Sequence, residues 1–228
     1  MTKFVVIAAL VAACGEKREK PAGEPPRAAV KPERARFPLP VETVDVHAML
    51  GTPRTAVEQR FAKAEKMDDG RVSYTVGDDT TGALLVIGYE RALVGSVLIE
   101  GHRQISGDDE RDDVLRWAHL NAASDDIDTT MMPAGLTVWA PGARARTDAR
   151  RALAHQLTDI EKPRGRQASV TAVSRLTVMN FDPKVKCDKG ELKGIATDAK
   201  QAGLDLKAAG FDDMECMDDS ETSATLDL

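Results

Sequence analysis

The stretch from Gly15 to Pro40 does most to limit what this chain can build. It reads GEKREKPAGEPPRAAVKPERARFPLP, with prolines at 21, 25, 26, 32, 38 and 40 and almost no large apolar side chain before Phe37. Such a segment cannot bury enough surface to offset the entropy of ordering it, and its prolines favour extended conformers. A flexible tether is expected here, so any packed core has to come from residues 38–228. With 228 residues, 42% hydrophobic and 30% charged, the chain still has enough apolar material for one domain of good size or two small ones. Collagenous, polytopic and wholly disordered architectures are excluded by the same values.

Ahead of the tether lies MTKFVVIAALVAAC, in which Lys3 is followed by the unbroken apolar run Phe4 to Ala13 and then Cys14. The run is too short for a bilayer, which needs ~20 apolar residues, and has the form of a secretory signal peptide. Its end, Val11-Ala12-Ala13-Cys14, resembles the lipobox of bacterial lipoproteins. The resemblance implies a signal peptide over 1–13 and lipidation of Cys14 as the new N-terminus, with residues 14–37 as the lipid-bearing cysteine and its tether. Gly15 in place of Asp after that cysteine implies sorting to the outer membrane, with the body facing the periplasm. Two or more acyl chains suffice for stable anchoring where one is marginal.

Charge divides along the same line. Residues 15–37 carry seven Lys or Arg and four Asp or Glu, a net of +3, whereas residues 38–228 carry 23 and 33, a net of -10. An anionic lipid surface attracts the tether and repels the body. The acidic body also argues against nucleic acid as a partner. Once Cys14 is taken by lipid, Cys187 and Cys216 remain as a pair, and an oxidising envelope compartment favours a disulfide between them. A helix of about 19 residues after Cys187 would run ~28 Å, and the strand back to Cys216 would return only ~20 Å. The bridge therefore needs the turn at Asp188 to Gly190 to absorb the difference, or a helix that ends early.

The periodicity predicts an α+β fold of antiparallel sheets with packed helices, divided into a region over 38–104 and another over 105–228. In the first, Thr52 as N-cap and Pro53 at the first helical position open a helix with Val57, Phe61 and Ala64 on one face, closed by Met67 to Gly70. A meander follows: Val72, Tyr74 and Val76 alternate, Ala83 to Tyr89 is almost continuously apolar, and Val94 to Ile99 returns. Leu50-Gly51-Thr52 with Val57 and Phe61, followed by strands, resembles the start of small outer-membrane assembly lipoproteins and of secreted β-lactamase-inhibitor-like domains. That likeness implies only a helix laid on a sheet, and no functional residue is carried over.

In the second region helices are expected over Asp109 to Asn121 and Arg144 to Leu157, with strands at Leu136 to Ala140 and Ser169 to Phe181. A β-α-β-β unit ends the chain, its helix capped by Asp188 and Glu191 and stopped at Gly210. Arg146-Thr147 with Leu153 echoes Arg54-Thr55 with Phe61, and Gly165-Arg166 echoes Gly70-Arg71, which leaves an internal duplication open.

Motifs for chemistry are sparse. No G-x-S-x-G, S-x-x-K, H-E-x-x-H, P-loop or G-x-G-x-x-G occurs. His47, His102, His119 and His155 are too scattered to share a helix face, so no catalytic residue, metal ligand or cofactor is assigned. The acidic clusters at 108–113, 125–128, 212–213 and 218–219 lack the alternation and central glycine of an EF-type loop; helix starts and turns account for them. Residues 143–166 are locally +4 and residues 187–228 locally -7, charges that could steer a partner, pair in a dimer, or simply be solvated.

Met131, Met132, Leu136 and Trp139 sit among Pro133, Gly135, Pro141 and Gly142, as in a loop-borne partner patch. Core membership is the simpler reading of the same residues, as it is for Trp117. The chain thus reads as an envelope lipoprotein acting as a non-catalytic protein-interaction or structural module, anchored by its lipid and meeting an envelope protein. A small-ligand-binding lipoprotein and an envelope hydrolase with an unrecognised site are the alternatives.

Overall fold

In the computed structural model, the described residues are 37–61, 64–67, 69–78, 80–123, 126–128, 135–218 and 221–228. Two short helices, α1 (Val46–Met49) and α2 (Arg54–Arg60), precede the strands β1 (Glu65–Lys66), β2 (Val72–Val76), β3 (Ala83–Glu90) and β4 (Leu93–Gly101). After α3 (Asp108–Trp117) come β5 (Asp126–Asp128) and β6 (Gly135–Trp139). These strands form one antiparallel sheet in the order β1-β2-β3-β4-β6-β5.

The near-continuous apolar runs of β3 and β4 are explained by burial on both faces, where alternation has no reason to appear. Leu85, Ile87, Val97 and Ile99 face a core built with Val46, Val57, Val114 and Trp117. Their neighbours Val86, Ser96 and Leu98 are buried on the opposite face. Trp117 is fixed from both ends, its indole N–H donating to the Glu42 carbonyl at 2.8 Å while Val44 N–H donates to its own carbonyl at 3.3 Å.

The long helix α4 (Ala143–Glu161) leads into a second sheet of β7 (Arg166–Val170), β8 (Arg175–Asn180), β9 (Asp213–Asp218) and β10 (Glu221–Asp227). Its order is β10-β9-β8-β7. Among the described strands only the β8–β9 pair is parallel, and α5 (Lys189–Gln201) makes the crossover that such a pair requires. Ala154 and Leu157 of α4 and Leu192, Ile195 and Ala199 of α5 share a core with Leu176, Val178 and Met214. The fold is therefore α+β, with two mostly antiparallel sheets and the expected β-α-β-β unit at the C-terminus.

Several local expectations change. The break between the sheets falls at 140–143 and not at 104/105, because β6 pairs with β4 across that expected boundary. Residues 36–228 cluster as one compact unit, and Phe37, expected to end the tether, instead belongs to the first core, because its ring is buried there and its N–H donates to Asp113 Oδ2 at 3.3 Å. Helix α2 stops at Arg60 because Phe61 turns extended, and Met67 and Gly70 serve the β1–β2 hairpin, with Gly70 at φ +78°. Pro53, not Thr52, is the N-cap. Ser169 to Phe181 is no single strand: residues 171–174 fold it into a β7–β8 hairpin without any Gly, Pro or Asn to announce the turn.

Gly203, at φ +84°, follows the true end of α5, whereas Gly210 lies in a later turn. That early end brings Cys187 and Cys216 to disulfide distance, their Cα atoms 5.5 Å apart. No duplication shows in the topology, since the first sheet is wholly antiparallel and the second contains a parallel pair. Gly70 and Gly165 do share one role, each a left-handed residue just before a strand. Among the described residues no helix is long and apolar enough to cross a membrane.

Candidate functional site

The sequence-assigned residues scatter. Cys14, Met131 and Met132 lie outside the described residues. Leu136 and Trp139 sit on opposite faces of β6, as period-two alternation dictates. Leu136 is buried in the first core, whereas Trp139 is half-buried on the other face, beside Ser96 in register. Leu136 is thus unavailable to a surface patch with Trp139. The four histidines are exposed and separate; His119 contacts Thr43 Oγ1 at 3.1 Å and His155 approaches Asp159 at 3.6 Å. Among the described residues, no group of three or more His, Cys, Asp or Glu is placed to hold a metal ion.

What the fold assembles instead is a cavity of about 220 Å³ between the sheets. Its floor is the second face of the first sheet: Val86, Ser96, Leu98, Thr137 and Trp139. Its roof is Thr147 and Arg151 of α4 together with Val170 to Val173 of the β7–β8 turn, and Arg71 lies at its side. A glycine makes this approach of the sheets possible, because a Cβ on Gly88 would meet Val173 Cγ2 and Ser96 Oγ at 2.6 Å each.

The polar groups on this wall are unusual for an interior. Trp139 Nε1 and Thr147 Oγ1 are both buried without a hydrogen-bond partner, a costly arrangement that native interiors seldom tolerate. Thr171 Oγ1 lies 2.6 Å from Thr177 Oγ1, which donates at 2.6 Å to the buried carboxylate of Glu215. Since a carboxylate only accepts, Thr177 uses its proton there and Thr171 must donate to Thr177. Thr171 is left with lone pairs alone to offer another donor.

Beside the cavity a clamp joins the sheets. Arg150, 2% exposed, donates to the Ala209 carbonyl at 3.0 Å, to the Val173 carbonyl and to Glu90. Arg146 holds the same carboxylate at 2.8 to 3.1 Å. Burial pushes Glu90 up, but its hydrogen bonds and charge pairing with Arg146 and Arg150 outweigh this and hold it below the ordinary glutamate range. The clamp grips the β3–β4 hairpin, whose turn residues Arg91 and Ala92 sit at φ +51° and +61° without being glycine. That left-handed backbone is strained and persists only because the surroundings fix it.

This clamp predicts an acid response. A depressed pKa adds stability above the unfolded value, and the gain is lost as pH falls through the folded value. In urea unfolding, the stability gap between the native chain and Glu90→Gln should be widest at neutral pH and should shrink on acidification below about pH 4, where glutamate normally titrates. A gap that is constant over that range contradicts the assignment.

The basic stretch at 143–166 and the acidic one at 187–228 also meet, within one chain. Arg164 reaches Asp198 at 2.8 Å, and Arg166 bridges Glu161 at 3.1 Å and Glu191. Much of their charge is therefore consumed in joining α4, β7 and α5, which reduces what remains for steering a partner. Ser96, Thr147, Thr171 and Arg151 carry no sequence signature; the only trace was Gly88 and Gly95 interrupting otherwise apolar strands. In comparisons with known proteins, the chain matches no family model, no curated protein and no solved structure.

Proposed function

We propose that this chain is a lipid-anchored envelope lipoprotein whose body is a non-catalytic binding module, carried on a tether that ends before the buried Phe37, with the body facing the periplasm. The observation that carries the binding reading is the cavity between the sheets, whose wall combines apolar side chains, hydroxyls, an unpartnered indole N–H and two arginines. Those groups hold and orient a guest, as the walls of small-molecule sites do. The disulfide-distance pair Cys187 and Cys216 suits an oxidising compartment, which supports the envelope location.

A protein partner is the second reading, favoured by a groove of about 500 Å³ at the strained hairpin, where Leu93 is 45% exposed beside Arg91 and Arg146. The test is fractionation and in-cell crosslinking of the native chain against Cys14→Ser. The native chain should be in the membrane fraction and capture a specific envelope protein or a small ligand, while Cys14→Ser should leave the membrane. Equal membrane retention of both forms would overturn the anchor.

A further inference from the structure

We propose that the cavity between the sheets is a binding site for a small monocarboxylate with an apolar body. The inference rests on the binding-module reading and names the ligand class. Size comes first: about 220 Å³ equals the liquid volume of about seven waters at ~30 Å³ each. At interior packing density that space suits a guest of about eight to ten non-hydrogen atoms.

Polarity comes next. The floor and roof bring Val86, Leu98, Val170 and Val173 around the space, a setting for a hydrocarbon body. Arg71 and Arg151 line it with no carboxylate among the lining residues described, so the only full charges on the wall are positive. Arg71 is engaged by Asp69 at 2.5 Å. Among the described residues Arg151 is held only by the exposed Asp148 at 3.4 Å, which leaves most of its guanidinium donors for a planar anion. Arginine recognises carboxylates in this two-pronged way.

Trp139 and Thr147 line the same space, and their Nε1 and Oγ1, buried and unpartnered there, become further donors for carboxylate oxygens once the two side chains turn toward the guest. A neutral hydrocarbon would leave both without a partner, and a cation would face two arginines. Thr171, restricted to accepting, can serve a hydroxyl or amine elsewhere on the guest.

The test uses benzoate and its uncharged counterpart benzyl alcohol as probes, added to the full chain carrying Cys14→Ser so that it stays in solution. The readout is the Trp139 indole N–H resonance, identified by its loss in Trp139→Phe, with Trp117 as the internal control. Benzoate should shift the Trp139 signal saturably, with half-saturation at or below about 1 mM, and leave Trp117 unmoved. Arg151→Met should weaken benzoate at least about tenfold, the scale of a lost hydrogen bond to a charged group. Thr147→Leu should abolish binding by filling the space while the chain stays folded.

No saturable shift with benzoate overturns the site, and benzyl alcohol binding as tightly as benzoate overturns the carboxylate class. A chain that still captures an envelope partner while benzoate leaves Trp139 unmoved shows that this inference has failed and the binding-module reading has not.

Discussion

Arg150→Ala should lower the free energy of unfolding by about 3–5 kcal/mol, the scale seen when one partner of a buried ion pair is removed. The guanidinium is almost fully buried and joins three separate parts of the chain: the Glu90 carboxylate on the hairpin, the Val173 carbonyl of the β7–β8 turn and the Ala209 carbonyl before Gly210. Truncation leaves a half-paired carboxylate and two carbonyls without this donor, and opens a cavity. Gly210 belongs to the same arrangement, since a Cβ there would meet Arg150 Nη2 at 2.5 Å. The double variant Glu90→Leu with Arg150→Met should recover much of the loss, because a well-packed apolar pair avoids desolvating charge. Urea unfolding of the three chains checks this. A loss below about 1 kcal/mol for Arg150→Ala, the range of an exposed pair, would show that water already serves these groups.

The second large effect is expected from the cysteine pair. Cys187 and Cys216 are separated by 29 residues in sequence, and closing such a loop stabilises by about 3.5 kcal/mol in the chain-entropy model. Both side chains also belong to the second core, so Cys187→Ala with Cys216→Ala loses packing as well as the crosslink. For a chain of this size, each kcal/mol moves the melting temperature by about 2–4 °C. Reduction should therefore lower it by about 10 °C. The loss should concentrate in the second sheet, where α5 is held against β9, and hydrogen exchange would locate it there. Identical melting curves with and without reductant would rule the bridge out.

Much of the fold was legible because its elements carry their own periodicity. The strands of the meander, the helix starts with acidic first turns and the closing β-α-β-β unit all follow from spacing and capping that act within a few residues. The errors have equally local causes. Met67 to Gly70 looks the same as a helix stop or a hairpin turn, and the pairing of Glu65 with Ser73 decides for the hairpin. The β7–β8 turn leaves no mark in the sequence because Thr171-Ala172-Val173-Ser174 has the composition of a strand. The boundary at 104/105 ignored β6, which joins β4 from beyond a helix, a long-range pairing that no window of residues contains.

The candidate site was hardly legible at all. Trp139 was singled out, but as part of a surface with Leu136, and strand alternation separates the two. Thr147 and Arg151 fall within the expected helix over Arg144 to Leu157, Thr171 within the expected strand over Ser169 to Phe181 and Ser96 within the run Val94 to Ile99, and nothing in these positions marks a site. What the amino-acid order settled by itself is the mixed α+β class and the identities of the two cysteines, because these depend on composition, capping and short-range periodicity, whereas the expected end of the tether ran too far, since Phe37 and Pro40 are buried. Which faces of the first sheet are covered, which arginine is buried and which polar atoms lack partners depended on how the two sheets meet. That contact is set by side chains far apart in sequence, Gly88 against Val173 and Glu90 against Arg150 among them, and local free energies do not encode it.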